Sequence, residues 1–123
     1  MTDSADELLD LQRLATLVDE IGDLDLVREA VRTFLDEVPD RLAAIRVALV
    51  GGDGQELRSA AHALGSPAAM LGAVGVSRAS KLVQAAGLEE RMGDAVALVD
   101  DLESVTRRTE DAMRTYLADS SAS

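Results

Sequence analysis

Several residue types are scarce in this sequence, and each scarcity excludes a class of function. The 123 residues contain no cysteine, no tryptophan, one tyrosine, one phenylalanine and one histidine. A chain without cysteine forms neither a disulfide framework nor a zinc–thiolate site, and one histidine does not make a two-histidine metal centre. Two aromatic side chains are too few for a base-stacking platform or an aromatic cage. We therefore expect no metal site in this chain.

Positive charge is also scarce, with 12 Lys and Arg residues against 23 Asp and Glu residues and a formal net charge of −11. This surplus of negative charge repels phosphate backbones and anionic lipids, which makes nucleic acids and membrane surfaces poor partners. No apolar run approaches the roughly 18 residues that a membrane helix needs. The acidic N-terminus lacks the apolar region of a signal peptide. We expect a cytoplasmic, monomeric protein.

The abundant residues predict an all-α protein. Alanine, leucine, arginine and glutamate favour helix, and the apolar residues recur every three or four positions rather than in alternation. Short connections make sequential helices antiparallel neighbours, so we predict an antiparallel four-helix bundle with a short additional N-terminal helix. The predicted core stripes are Leu11, Leu14, Val18, Ile21; Val27, Val31, Phe34, Leu35, Val38, Leu42, Ile45, Leu49; Leu57, Ala61, Leu64, Ala68, Leu71; Val76, Ala79, Leu82, Val83; and Leu98, Leu102, Val105, Thr109, Ala112, Tyr116.

Turn residues divide the chain into five predicted helices. Asp53, with Glu56 three residues later, forms a capping-box pattern that begins the third helix. The long second and fifth helices are predicted over about 24–50 and 94–117. We expect a disordered N-terminus at 1–7, a single helical domain at 8–118 and a frayed tail at 119–123. The predicted boundaries are Gly22-Asp23, Gly51-Gly52, Leu71-Gly72-Ala73, Gly87 and Gly93-Asp94.

Two prolines lie within predicted helices. Pro39 falls midway through the second helix and is expected to kink it or to split it into two collinear pieces. Gly65-Ser66-Pro67 resembles a helix stop followed by a start, but the apolar stripe keeps its phase from Leu57 to Leu71. We therefore predict a kinked but continuous third helix.

His62 is the residue best suited to carry chemistry. It lies one position after the core residue Ala61, and so about 100° around the helix from the core stripe. The imidazole is expected to stand on a low surface that another protein can approach closely. Spacing alone does not separate this reading from that of an ordinary exposed histidine. Apart from Arg58, the side chains within one or two turns on that face are small: Ser59, Gly65, Ser66 and Ala69.

The stretch Ala61-His62-Ala63-Leu64-Gly65-Ser66-Pro67-Ala68-Ala69-Met70-Leu71-Gly72-Ala73 resembles the signature of histidine-containing phosphotransfer (HPt) domains. The family pattern reads, in outline, His-x-Leu-Lys-Gly-Ser-x-x-x-Leu-Gly-Ala. The flanking helices extend the resemblance over roughly residues 24–117. The resemblance implies a helical bundle whose histidine, His62 here, accepts a phosphoryl group from an aspartyl phosphate on a receiver domain and passes it to another receiver.

The same resemblance implies the partners and cofactors of such a protein. Its partners would be a response-regulator receiver domain, a hybrid histidine kinase, or both. HPt domains have no ATP site and bind no cofactor, because the receiver's bound Mg²⁺ and lysine supply most of the charge neutralisation that phosphoryl transfer needs. A neutral imidazole has one ring nitrogen with a free lone pair, which suits it to in-line attack.

The motif departs from the family pattern just after the histidine. Without a gap, the family's lysine becomes Gly65, its glycine becomes Ser66 and its serine becomes Pro67. An alternative alignment deletes the lysine and matches Gly65-Ser66, but then needs an insertion before Leu71. Arg58 is the nearest remaining cation. The smooth surface is expected to persist through Gly65 and Ser66.

Other residues acquire expected roles from the resemblance. Gln84 falls where family members often carry a polar residue that orients the histidine ring, although an ordinary exposed glutamine is an equal alternative. Receiver docking is expected to involve an apolar patch and nearby cations. Met70 and Leu71 read first as core residues, with Met70 also a candidate for partner contact. The candidate partner-binding residues are Ala63, Ala69, Met70, Arg78 and Lys81.

Two other functions are compatible with parts of this sequence. A helical-bundle adaptor, or a degenerate HPt domain that binds a receiver without transferring phosphate, is favoured by the missing lysine and opposed by the retained histidine. A Ser–His hydrolase dyad, using Ser59 or Ser66, is disfavoured because a convex helix face offers neither oxyanion hole nor pocket. We expect the acidic pairs Glu89-Glu90 and Asp100-Asp101 to lie on solvent-exposed helix faces.

Overall fold

The computed structural model describes residues 8–121, which form an all-α bundle as predicted. The helices are α1 (Leu11–Ile21), α2 (Leu24–Val50), α3 (Gly54–Met70), α4 (Val74–Leu88) and α5 (Met92–Ser121). Helices α2 to α5 pack in sequence, and α5 returns to contact α2, so the four long helices close a ring around one core. The short α1 packs against α2. No helix in this part of the chain combines the length and apolar character needed to cross a membrane.

The predicted stripes of α2 and α3 form the core. Every residue of the α3 stripe, from Leu57 to Leu71, is buried, and Leu35 and Leu49 are the half-buried members of the α2 stripe. The prediction is wrong for Leu11, Ile21 and Leu82, which are about half exposed. On α4 the buried positions are Val76, Ser80, Val83, Ala86 and Gly87, and Leu82 lies one residue off that face.

Capped turns set the helix directions. Asp53 accepts a hydrogen bond from the Glu56 backbone N–H at 3.0 Å, which confirms the predicted start of α3. Gly72 has φ +78°, and its carbonyl accepts a hydrogen bond from the Asp10 N–H at 2.7 Å. A Cβ at this glycine would lie 2.9 Å from the Asp10 carbonyl oxygen. The segment before α1 is therefore anchored on the α3–α4 connection, at the C-terminal end of the helix that carries His62.

Neither proline interrupts its helix. The predicted split of α2 at Pro39 does not occur, because α2 is one helix from Leu24 to Val50. Pro39 is exposed, so water can hydrogen-bond to the carbonyl that this proline leaves without a helical donor. The continuous path of α3 through Pro67 is confirmed.

Two helix ends differ from their predicted positions. Gly87 does not end α4, which continues to Leu88; the left-handed residue that follows is Glu90, with φ 55°. Gly87 is buried instead against the first turn of α3. The backbone of the last helix extends to Ser121 rather than to about residue 117.

An arginine on α2 holds the end of α5. Arg28 donates hydrogen bonds to the Ser120 Oγ at 3.0 Å and to the Leu117 carbonyl oxygen at 3.1 Å. This contact explains why Asp119 and Ser120, expected to fray, remain helical. The predicted disordered N-terminus, residues 1–7, and the last two residues of the predicted frayed tail lie outside the described residues.

Candidate functional site

His62 is exposed on α3 at the border with α4. The residues before and after it on the core stripe, Ala61 and Leu64, are buried, so the pitch of α3 directs the imidazole outward. Val83, Ala86 and Gly87 on α4 are buried in the same layer. The backbone that carries the imidazole is therefore fixed by packing on one side and is open to a partner on the other.

Two shallow grooves meet at His62, and Gln84 of α4 lines both. The Arg58 groove, toward the N-terminus of α3, is lined by Gln55, Glu56, Arg58 and Ser59 in addition to those two residues. The Lys81 groove lies toward the C-terminus of α3 and runs between α3 and α4. Its lining includes Gly65, Ser66, Ala69, Ser77, Ser80 and Lys81.

The charge around His62 is opposite in sign to that of the chain as a whole. Arg58 and Lys81 lie in the two grooves on either side of the imidazole, and Glu56 is the carboxylate that lines the Arg58 groove. Within residues 8–121, neither cation forms an ion pair. Elsewhere on the bundle, by contrast, most arginines have a carboxylate partner. Two cations are therefore available to an anionic group at His62, in a chain of net charge −11.

Helices α3 and α4 approach each other closely at two points, both of which use glycine. A Cβ at Gly87 would lie 2.5 Å from the Gly54 carbonyl oxygen and 3.1 Å from the Arg58 backbone nitrogen. A Cβ at Gly65 would overlap the Ser80 hydroxyl and lie 2.7 Å from the Ser80 Cβ. His62 lies between these two contacts along α3, so its backbone is held near α4.

A chain of hydrogen bonds crosses this interface beneath His62. The Ser80 hydroxyl is fully buried and donates to the Ala61 carbonyl oxygen at 2.8 Å. The Gln84 Nε2 donates to the Ser80 Oγ at 2.9 Å. Ser80 is not among the residues predicted from the sequence, although its place between Val76 and Val83, four residues before Gln84, marks it as a polar residue on an apolar stripe.

Comparison with known proteins agrees with this architecture and motif. The family model for the Hpt domain matches residues 29–122, which include the whole of the His62 motif. The chain belongs to the Hpt domain family. Its structure is similar to the crystal structure of histidine-containing phosphotransfer protein B (HptB) from Pseudomonas aeruginosa PAO1, with a TM-score of 0.83 and 25% identity over 94% of this chain and 97% of that one. No curated protein matches the sequence significantly.

The family membership confirms the predicted resemblance. Gly65 is buried against Ser80 of α4 and also lines the Lys81 groove beside His62. Ser66, the next residue, is exposed and contributes to the open surface. A Cβ at position 65, which matches the Hpt lysine, would therefore point toward Ser80 of α4.

The predicted partner-binding residues divide into two groups. Ala69 and Lys81 share a groove with His62, whereas Arg78 lines a different groove, between α4 and α5, together with Asp101 and Val105. Met70 is 60% exposed, so the first reading of it as a core residue is wrong. Two further predicted residues lie as follows: Ala63 is half-buried, and Leu71 is in the core as predicted.

The Ser–His dyad is not formed in residues 8–121, and the acidic pairs line neither groove at His62. Within the described residues, neither Ser59 nor Ser66 forms a side-chain hydrogen bond with His62. One member of each acidic pair forms a surface ion pair, Glu89 with Arg91 and Asp100 with Arg46.

Proposed function

We propose that this Hpt domain is a phosphotransfer protein of a two-component phosphorelay. His62 accepts a phosphoryl group from an aspartyl phosphate on a receiver domain and passes it to another receiver. The observation that carries this proposal is an exposed imidazole, within the Hpt motif, between two cations that have no carboxylate partner in the described structure.

The position of His62 suits in-line attack on a bound partner. Phosphoryl transfer depends on positioning and charge neutralisation more than on covalent assistance from the protein. A ring nitrogen of His62 forms the N–P bond while the P–O bond of the donor breaks, and the electron pair remains on the donor carboxylate. Packing of α3 against α4 fixes the backbone, while the exposed side of the ring leaves room for the receiver.

Arg58 and Lys81 take the place of the lysine that this motif lacks. Arg58 is one helical turn before His62, and Lys81 reaches the other groove from α4. Either cation stabilises negative charge on the transferred group, with greater effect once docking excludes water. The Mg²⁺ of the reaction belongs to the receiver, and this chain contributes the nucleophile and its surroundings.

A second candidate is an adaptor that binds a receiver but does not transfer phosphate. The observation that favours it is Gly65 in place of the family lysine, with the Ser80 hydroxyl occupying the space where a side chain would begin. The adaptor would use the same exposed surface around His62. Binding and transfer therefore have to be measured separately.

The test is a transfer assay with purified receiver domains charged with radiolabelled acetyl phosphate and freed of excess donor. The phosphotransfer function predicts acid-labile label on the wild-type chain and none on His62→Gln, because the substitution removes the nucleophile. Thermal unfolding of the variant should match the wild type, since His62 lies off the core stripe.

Binding measurements with the same receivers complete the design. A wild-type chain that binds a receiver but gains no label would establish the adaptor. Label on His62→Gln equal to that on the wild type would assign phosphorylation to another residue and overturn the role of His62.

A further inference from the structure

Lys81 is the single lysine among the 12 basic residues of this chain. It is exposed on α4, shares the Lys81 groove with His62, and forms no ion pair within residues 8–121. A lysine amine is a nucleophile once it has lost a proton, whereas an arginine guanidinium stays protonated. The groove therefore holds two nucleophiles of different kinds, an imidazole and an amine.

The lining of the Lys81 groove suits a small anion that carries a phosphate group. The groove contains no carboxylate, and Lys81 is its cation. Ser66 and Ser77 line the same groove, and their hydroxyls form no side-chain hydrogen bond in the part of the chain that the structure describes. A lysine ammonium and hydroxyl donors are groups that bind phosphate oxygens.

We propose that Lys81 is an acylation site for small acyl phosphates, of which acetyl phosphate is the simplest. An acyl phosphate has two electrophilic atoms, the phosphorus and the carbonyl carbon. The phosphate group binds between the two serine hydroxyls and the side chain of Lys81, which brings the carbonyl carbon to the Lys81 Nζ. The groove thus favours this lysine over an amine elsewhere on the acidic surface, where carboxylates repel the anion.

The acylation step balances without a further reactant. The Lys81 ammonium first loses one proton to water. Its Nζ then forms a bond to the carbonyl carbon while the bond from that carbon to the phosphate oxygen breaks, and the electron pair leaves on the phosphate. The departing phosphate takes the second proton from the nitrogen, so the products are an amide on Lys81 and hydrogen phosphate.

Acylation of Lys81 changes the charge at His62. The amide is neutral, so the modified groove has lost its cation, and Arg58 in the other groove is left to stabilise the transferred group. Acylated protein therefore transfers phosphate more slowly. This consequence rests on the proposed function, whereas the acylation itself does not.

The first test measures acetylation by acetyl phosphate alone at pH 8, without a receiver. The reference is the lysine introduced by Arg114→Lys, an exposed position where Glu110 and Asp111 lie within ion-pair distance. Peptide mass spectrometry measures both sites in the same molecule. Acetylation of Lys81 should be about threefold faster than at the reference site. It should also saturate with acetyl phosphate and be slowed selectively by inorganic phosphate.

A pair of serine variants tests the groove itself. Ser77→Ala removes a hydroxyl from the Lys81 groove and should slow acetylation of Lys81 about twofold, through loss of one hydrogen bond to the phosphate. Ser59→Ala is the matched control, because Ser59 is also near His62 but lines the Arg58 groove. It should leave the acetylation rate of Lys81 unchanged.

The second test measures phosphotransfer after acetylation and removal of acetyl phosphate. Wild-type protein acetylated on Lys81 should accept phosphate from a labelled receiver about fivefold more slowly than untreated protein, because one stabilising cation is lost. Lys81→Arg offers no amine at this position. The same treatment should therefore leave the transfer rate of this variant equal to that of its own untreated sample.

Three results would overturn the proposal. An acetylation rate at Lys81 no greater than at the reference lysine, or one that inorganic phosphate does not lower, would show that the groove binds no acyl phosphate. Transfer by acetylated protein at the untreated rate would show that the modification does not regulate His62. Acetylation is measured without a receiver, so failure of the proposed function is distinct: the untreated wild type would accept no phosphate from any receiver.

Discussion

The two helix pairs on opposite sides of the bundle are held together by different means. Between α2 and α5, long side chains bridge the helices: Arg46 contacts the Glu103 carboxylate at 2.6 and 2.9 Å and the Asp100 carboxylate at 2.6 Å. Between α3 and α4, glycine allows near contact of the backbones, and a buried serine provides the polar link. In the α2–α5 pair the charged side chains bind each other. In the α3–α4 pair, Arg58 and Lys81 have no carboxylate partner in the described residues.

The charged contacts between α2 and α5 contribute to stability, whereas the charged surface of α3 and α4 remains open to a partner. An ion pair formed within the protein holds two helices together, but its charges are not available to bind a partner. The α3–α4 pair is stabilised by close packing and buried hydrogen bonds instead, so its surface charges and its imidazole remain accessible.

The largest effect on stability is expected from Gly87→Ala. Its Cβ would meet the Gly54 carbonyl oxygen, and backbone atoms cannot rotate aside, so we expect a loss of about 2 kcal/mol in the free energy of unfolding. Gly93→Ala is the matched control, because a Cβ there meets nothing within 4 Å and alanine is the better helix former. Urea unfolding of the two variants measures the difference. Equal stability would show that α3 and α4 are not held by glycine contact.

Gly65→Lys, which restores the family residue, should destabilise the domain by about 1 kcal/mol, despite the higher helix propensity of lysine. The Cβ would displace the Ser80 hydroxyl from the Ala61 carbonyl. Adding Ser80→Ala should recover part of this loss, since it removes the atom in closest conflict. Thermal unfolding of the single and double variants checks the coupling. A single variant as stable as the wild type would contradict the pairing of Gly65 with Ser80.

Arg58→Ala should slow phosphotransfer about fivefold, whereas Arg78→Ala should leave it nearly unchanged. Arg58 shares a groove with His62, but Arg78 lines the groove between α4 and α5. Single-turnover transfer from a phosphorylated receiver, at two salt concentrations, measures both. Equal rates for the two variants would show that Arg58 is not the cation that stabilises the transferred phosphoryl group.

The smallest effect is expected on the α2–α5 side. The hydrogen bond from Arg46 holds the pKa of Glu103 below its ordinary value, with a smaller contribution from the charge of Arg46. A lowered pKa stabilises the fold above the unfolded-state pKa of about 4.5, and this stabilisation is lost as the pH falls through the folded-state pKa. Because the Arg46 side chain is 37% exposed, solvent screening keeps the effect of Glu103→Gln at pH 7 below about 1 kcal/mol.

Thermal unfolding at pH 7 and pH 3 tests this expectation. The variant should be less stable than the wild type at pH 7 and should approach it at pH 3. Asp101→Asn, which removes a neighbouring carboxylate without an ion pair in the described residues, is the control. A Glu103→Gln deficit that is the same at both pH values would mean that the ion pair is not its cause.

The sequence predicted the features that depend on a single helix. The core stripes of α2 and α3, the Asp53 cap and the exposure of His62 all follow from helical periodicity and local hydrogen bonding. The motif then identified the family, which the comparison confirmed. These features require no knowledge of which helix packs against which.

The features that sequence reasoning missed depend on pairs of helices. Gly65 is near His62 along α3, but only the position of α4 shows that Ser80 covers it. Gly87 was predicted to end a helix because glycine commonly does so. In the structure, its lack of a side chain lets the first turn of α3 pack closely against α4. The spacing places Ser80 on the apolar stripe of α4, but only the packing of α3 against α4 shows that its hydroxyl bonds the Ala61 carbonyl oxygen.

The most direct test of the phosphotransfer function is the site of phosphorylation on the wild-type chain. After incubation with a phosphorylated receiver, the chain is digested at neutral pH, which preserves phosphohistidine, and analysed by tandem mass spectrometry. We expect a phosphoryl group on His62, lost after brief acid treatment. Acid-stable phosphate on a serine or threonine, or no phosphate from any receiver that binds, would contradict it.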